Sequence, residues 1–281
     1  MAEIKRTVSY SEIKNKVTIF AQQSGYILQY NLNMKIRKIL KIITDILMFA
    51  DFIFLMSHEV VRYLSAHGIF GAALFALFVL HHILNGGFYR SALRGKYNSV
   101  RILLSATVWI LFVLMILMAF SSVMMSGAVF TFSSINMTFW SRPLHTFSCS
   151  WGFLVMGFHL GLHLQSKLKK LEQAANGKKS ASGKKSACFV ILQILWILIF
   201  ALGIFCIVHS QLYVYLFWQN AWKLSASNIF VCVAEYLGMT AGMIALSHFA
   251  MKFLQKLFCL AADLKCSKSI FFVIFGLDPK I

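Results

Sequence analysis

The feature that most limits this chain is the length of its apolar runs. Six stretches, about 40–58, 64–88, 102–127, 145–166, 188–209 and 227–252, are predominantly hydrophobic. Each is close to the roughly twenty residues that carry a helix across a bilayer. Composition agrees: 59% of residues are hydrophobic and 13% charged, where a soluble domain has about half and about a quarter. A soluble enzyme, a disulfide-stapled secreted module and a disordered chain are excluded. The expected fold is an all-α integral membrane protein, a six-span helical bundle over 40–255. A cytoplasmic or interfacial segment, 1–39, would precede it, and an interfacial tail, 256–281, would follow.

The net charge of +18 is organised by position. Eight Lys and Arg lie up to Lys41, four in 88–101 (Arg90, Arg94, Lys96, Arg101), seven in 167–185 and five in 252–280. Those alternate segments hold 24 of the 27 cations, and only Arg62, Arg142 and Lys223 lie between them. Positive residues mark the cytoplasmic side, so both termini are expected inside, with the protein multi-pass in the cytoplasmic membrane. Topogenic charge and attraction to anionic lipid account for the basicity, and nucleic acid is not an expected partner. The Lys-, Gly- and Ser-rich 167–187 reads as a flexible cytoplasmic linker. The six cysteines form no CxxC pair and no CxxCH haem-attachment box. The first 38 residues carry charges throughout, unlike a cleaved signal peptide.

Ionisable side chains inside spans are costly and usually functional, which turns attention to the nine histidines. His67 and His81 in the second span are fourteen residues apart, as are His145 and His159 in the fourth. Fourteen helical steps turn about 1400°, about 40° short of four turns, and rise about 21 Å. Each pair therefore shares a face, one member near each membrane surface. Both spans run from outside to inside, so His67 and His145 share an outer level and His81 and His159 an inner one. Two parallel helices could clamp two stacked haems by bis-imidazole ligation. The expectation is two non-covalent b-type haems between spans two and four.

Neighbouring residues extend this reading. His82 points about 100° from His81, as a hydrogen-bonding neighbour or a rival ligand. His163 lies one turn beyond His159, as an inner propionate partner or a rival ligand. Gly71 and Gly152, with Gly68, Gly157 and Gly161, would let a macrocycle approach the backbone or let helices pack closely. Arg62 and Arg142 precede the outer histidines and could pair with haem propionates or sit as plain interfacial residues. Asp45, Asp51 and Glu235 are acids at membrane depth, read as proton acceptors or as capped structural groups. His58 and His209 read as interfacial and His248 as a packing residue. Phosphate-loop, HExxH and GxSxG motifs are absent from the sequence, so no catalytic residue is expected.

The stretches HGIFGAALFALFVLHHILNGGFYRSALRGKYNSVRILL (67–104) and HTFSCSWGFLVMGFHLGLHLQ (145–165) resemble the flavinylation-associated cytochromes, a membrane b-type cytochrome domain long without an assigned function. The HHILN run, the GKY loop, the WGF and HLGLH runs and EYLGMTAGMIALSHF (235–249) carry the likeness over about 40–255. Gly68 and Ile69 stand where that family usually has an acidic residue or tryptophan. The arrangement is also similar in architecture to the cytochrome b subunit of respiratory bc complexes. The resemblance implies an electron conduit from quinol to an extracytoplasmic flavin-bearing protein, with a quinone as a further cofactor. The chain has no nicotinamide- or flavin-binding domain, so a membrane subunit or partner of an oxidoreductase is expected rather than a complete reductase. The rivals are a transmembrane ferric or quinone reductase and a non-redox transporter or scaffold with an intramembrane His and acid relay.

Overall fold

The computed structural model describes residues 10–57, 60, 61, 63–92, 94, 99–125, 139–176, 187–218 and 228–274. Among these residues the chain is helical, with no strand. The elements are α1 Tyr10–Leu55, α2 Leu64–Leu84, α3 Gly87–Ala92, α4 Ser99–Met125, α5 Ser141–Asn176, α6 Ala187–His209, a 3-10 turn Leu212–Phe217 and α7 Ile229–Ile274.

Among the described residues five helices are long and apolar enough to cross a membrane: α2, α4, α5, α6 and α7. The protein is therefore multi-pass, with an inside-out distribution of polarity. Ile191, Ile194, Leu198 and Phe205 of α6 lie exposed, while Thr107, Ser121, Ser148, Gln165, Ser247 and His248 are buried. Side chains facing lipid gain nothing from being polar, whereas hydroxyls and amides at helix seams find partners.

The expected first span lies in the last part of α1, which is not among the five. Residues 38–55 hold Lys38, Lys41, Asp45 and Asp51, and these charges dilute an otherwise apolar stretch. α1 runs unbroken across residue 39. At the other end α7 continues past 255 to Ile274 without a break. The basic linker is corrected over its first part: α5 stays helical to Asn176. Its SKLKKLEQAAN sequence is made largely of strong helix formers. At 36 residues α5 is about 54 Å long, well beyond a hydrocarbon core of about 30 Å. Residues 177–186 lie outside the described residues.

The helices α1, α2, α4 and α5, together with Tyr236 and Met239 of α7, line one interior. α2 packs along α1 and meets α4 at a few points, α4 packs along α5, and no extensive seam joins α2 to α5. α1 reaches α5 through Phe52, whose ring meets Phe153 edge-on at 5.8 Å. On the far side α7 packs against both α5 and α6. A Cβ on Gly203 would lie 2.6 Å from the Gly242 Cα, so α6 and α7 cross backbone to backbone. A Cβ on Gly161 would fall 2.8 Å from the Ile244 Cα. Gly157 and Gly161 thus serve helix packing against α7. Behind α2, the Arg101 guanidinium donates to the Ser91 and Arg94 carbonyls and ties the end of α3 to α4.

Candidate metal centre

Positions 67 and 81 on α2 and 145 and 159 on α5 put two histidine levels in that interior. Between them stands an apolar wall that includes Phe52, Leu74, Phe78, Met115, Phe153 and Leu154. Leu74, midway between His67 and His81, is 1% exposed.

At the first level, the His67 and His145 rings meet edge to face with centres 6.1 Å apart and planes inclined at 68°. A metal–imidazole bond is about 2 Å long, so imidazoles on opposite sides of one ion hold their centres about 6 Å apart. A separation of that size would let both rings hold one metal ion, and it is equally an ordinary edge-to-face packing distance. The tautomer at His145 follows from its partners on α4. Ser121 and Ser122 both donate their single proton to the Met118 carbonyl. Their oxygens, 3.3 and 3.2 Å from His145 Nδ1, can accept there, and the Met118 carbonyl, which can do nothing but accept, is a further hydrogen-bond partner of the His145 ring. Nδ1 thus carries the proton, leaving the lone pair on Nε2, which has Cys149 Sγ 3.6 Å away as a weak donor. His67 Nδ1 is buried with no partner among the described residues, a deficit worth about 1–3 kcal/mol.

The second level follows the same logic. Thr107 donates to the Leu104 carbonyl and lies 3.0 Å from His159 Nδ1, so it accepts the Nδ1 proton. His81 Nδ1 lies 2.6 Å from Asp45 Oδ1. An ionised carboxylate only accepts, so here too Nδ1 holds the proton and Nε2 the lone pair. His81, His159 and His163 are close enough to interact electrostatically. His163 Nε2 is 3.0 Å from His159 Nε2 and, by elimination, donates into its lone pair.

The other residues expected at the site take these places. The His82 ring lies against Phe78 and Phe112, and its Nδ1 pairs with the Tyr89 hydroxyl. Burial pushes the Tyr89 phenol up from its ordinary pKa, which keeps it protonated. A Cβ on Gly71 would meet nothing within 4 Å, whereas one on Gly152 would meet the Phe52 ring at 3.6 Å. Gly71 thus has open space beside it, and Gly152 faces α1. Arg142 lies one turn before His145 in the first turn of α5. Arg62 and His58 lie outside the described residues.

The acids separate. Asp45 supports His81, Asp51 is buried with both oxygens unpartnered, and Glu235 Oε1 pairs with His209 Nδ1 at 2.5 Å. His248 is 1% exposed and bonds Glu172 at 3.1 Å. Glu172 also accepts from Lys252 and Gln193, making a polar clamp across α5, α6 and α7.

Sequence reasoning missed the supports behind the histidines. One signal was present: Thr107 and Ser121 on α4 are also fourteen residues apart, the spacing of the two α5 histidines they serve. Among the described residues no three His, Cys, Asp or Glu side chains group as metal ligands. The arrangement is two by two, suited to a macrocyclic metal that brings its own equatorial ligands. The donor chemistry fits haem: in three of the four imidazoles the hydrogen-bond partners leave the lone pair on Nε2, the nitrogen that would bind the metal, with His163 competing for that of His159. In comparisons with known proteins, the chain matches no family model, no curated protein and no solved structure.

Proposed function

We propose that this protein is a di-haem b-type cytochrome of the cytoplasmic membrane, carrying electrons from the quinol pool to an extracytoplasmic flavin-bearing or other redox partner. The reading takes α1 from about residue 40 as a sixth span, with both termini cytoplasmic. His67 and His145 then form the outer level, and His81 and His159 the inner one. The likeness to flavinylation-associated cytochromes belongs to this proposal and rests on the histidine, HHILN and HLGLH residues themselves.

The observation that carries the proposal is the 6.1 Å separation of the His67 and His145 rings. His67 and His145 would hold one haem and His81 and His159 the other, each group supplying one-electron chemistry when bound. The protein's residues do the rest. Ser121, Ser122, Thr107 and Asp45 orient the imidazoles and fix their protons at Nδ1, which keeps Nε2 basic. The wall around Leu74 and Phe153 separates the levels. Arg142, and Arg62 in the adjoining segment, supply outer positive charge suited to propionates. A quinone near the inner level completes the proposed conduit.

The first test is a visible spectrum of the purified protein, oxidised and dithionite-reduced. Sharp reduced bands of a low-spin b-type cytochrome are expected, and a featureless spectrum removes the proposal. Topology is tested by labelling cysteines placed at Ser134 and Ser182. Reagent added outside should reach the first and not the second, and the reverse pattern inverts the outer and inner levels.

A second reading is favoured by the acid–histidine pairs Asp45–His81, Glu235–His209 and Glu172–His248. Without haem, these groups suit a proton relay in a non-redox transporter. The same spectrum separates the two.

A further inference from the structure

The two histidine levels differ in what stands behind the imidazoles. At the outer level His145 Nδ1 has only neutral partners, the two serine oxygens at 3.3 and 3.2 Å and the Met118 carbonyl, and His67 Nδ1 has no partner among the described residues. At the inner level His159 also donates to a neutral oxygen, Thr107 Oγ1. His81 is the exception, because its Nδ1 meets the Asp45 carboxylate at 2.6 Å. Asn85 does not compete for that bond. Its Nδ2 is a donor, 3.5 Å from His81 Nδ1, and it donates to the His81 carbonyl at 2.9 Å.

A carboxylate that accepts an imidazole N–H draws the proton toward itself and leaves the opposite nitrogen more basic. A metal bound at that nitrogen is stabilised in its oxidised state. The carboxylate's negative charge acts in the same direction, because oxidised iron carries one more positive charge than reduced iron. Serine and threonine oxygens do neither to a comparable extent.

From this asymmetry we infer that Asp45, acting through His81, sets the inner haem at the lower of the two midpoint potentials. Electron passage from the cytoplasmic to the outer level is then downhill. The inference rests on the di-haem reading above and adds to it a direction and the residue that imposes it. Asp45 is a positioning residue that tunes a ligand rather than binding the metal. The other acid of α1 within the proposed span, Asp51, has no such contact.

The test is a potentiometric titration with optical detection on the full-length protein, as wild type, Asp45→Asn and His67→Ala. The wild type should give two one-electron waves. Asp45→Asn keeps an amide oxygen for His81 but removes the charge, and should shift the lower wave upward while leaving the upper one in place. His67→Ala should strip the outer haem, so that the surviving wave is the lower one. That variant leaves Asp45 intact and decides the order even if Asp45→Asn loses its inner haem. Wild-type protein without haem overturns both the reading and this inference. Two wild-type waves that Asp45→Asn leaves unmoved, a shift of the upper wave alone, or survival of the upper wave in His67→Ala overturns the inference and leaves the di-haem reading standing.

Discussion

The two histidine levels, outer (His67, His145) and inner (His81, His159) under the proposed topology, are built from the same pair of helices at the same spacing, yet the protein supports them differently. The outer level is sealed by hydroxyls: Ser121 is fully buried at 0% exposure, and Ser122 stands beside it on the same imidazole nitrogen. The inner level is supported by a carboxylate on α1 that is 52% exposed and by a single threonine on α4. Redundant neutral partners hold a ring in place without changing its charge. A carboxylate holds the ring and tunes it as well. Equal spacing therefore does not make equal sites.

The strongest way to break this comparison is to remove ligands. His67→Ala and His145→Ala should each lose the same outer haem, and His81→Ala and His159→Ala the same inner one. Each variant should fall from two haems per chain to one, read by pyridine haemochrome assay and low-temperature paramagnetic resonance. Variants within one level that lose different haems would dismantle the pairing.

Next in size is removal of the hydroxyls. Thr107→Val leaves the His159 Nδ1 proton without its partner. Loss of such an orienting bond typically costs about 10–100-fold in metal affinity, which should appear as faster haem loss to an apo-globin acceptor. Ser121→Ala should do less, because Ser122 remains 3.2 Å from His145 Nδ1. The double variant Ser121→Ala/Ser122→Ala should approach the Thr107→Val effect. Equal effects from the two single variants would mean that the outer redundancy carries no weight.

The smallest effects are expected at the two extra histidines. His82→Ala removes a ring that packs on Phe78 and bonds Tyr89, and should retain both haems in an unchanged ratio. His163→Ala removes the donor that competes for the His159 lone pair, so both haems should remain, with the inner one held at least as tightly. Loss of the inner haem in either variant would move the ligand assignment to that residue.

Much of the membrane fold was legible in the sequence, because a bilayer leaves few ways to dispose of a twenty-residue apolar run. The segment around Asp45 and Asp51 was harder. Its apolar residues suggest a span, its charges argue the other way, and α1 continues as one helix on the N-terminal side. The histidine spacing was legible because helical geometry converts fourteen residues into a shared face. The rotation of each helix about its axis was not, so the Gly152 position facing Phe52 rather than the histidines could not be read from spacing. Asp45 sits 36 positions before His81, and nothing local in the sequence joins them; their pairing exists only once α1 lies along α2. The Thr107 and Ser121 register could have been found, because it repeats the histidine spacing on the neighbouring helix.

The central claim is that four histidines on two helices hold two haems, and the ratio of haem to protein tests it most directly. Quantified by pyridine haemochrome against amino-acid analysis on the purified full-length chain, the account predicts two non-covalent b-type haems per chain, fully extracted by acidified acetone. Haem absent altogether, or haem that stays covalently attached after that extraction, would contradict it.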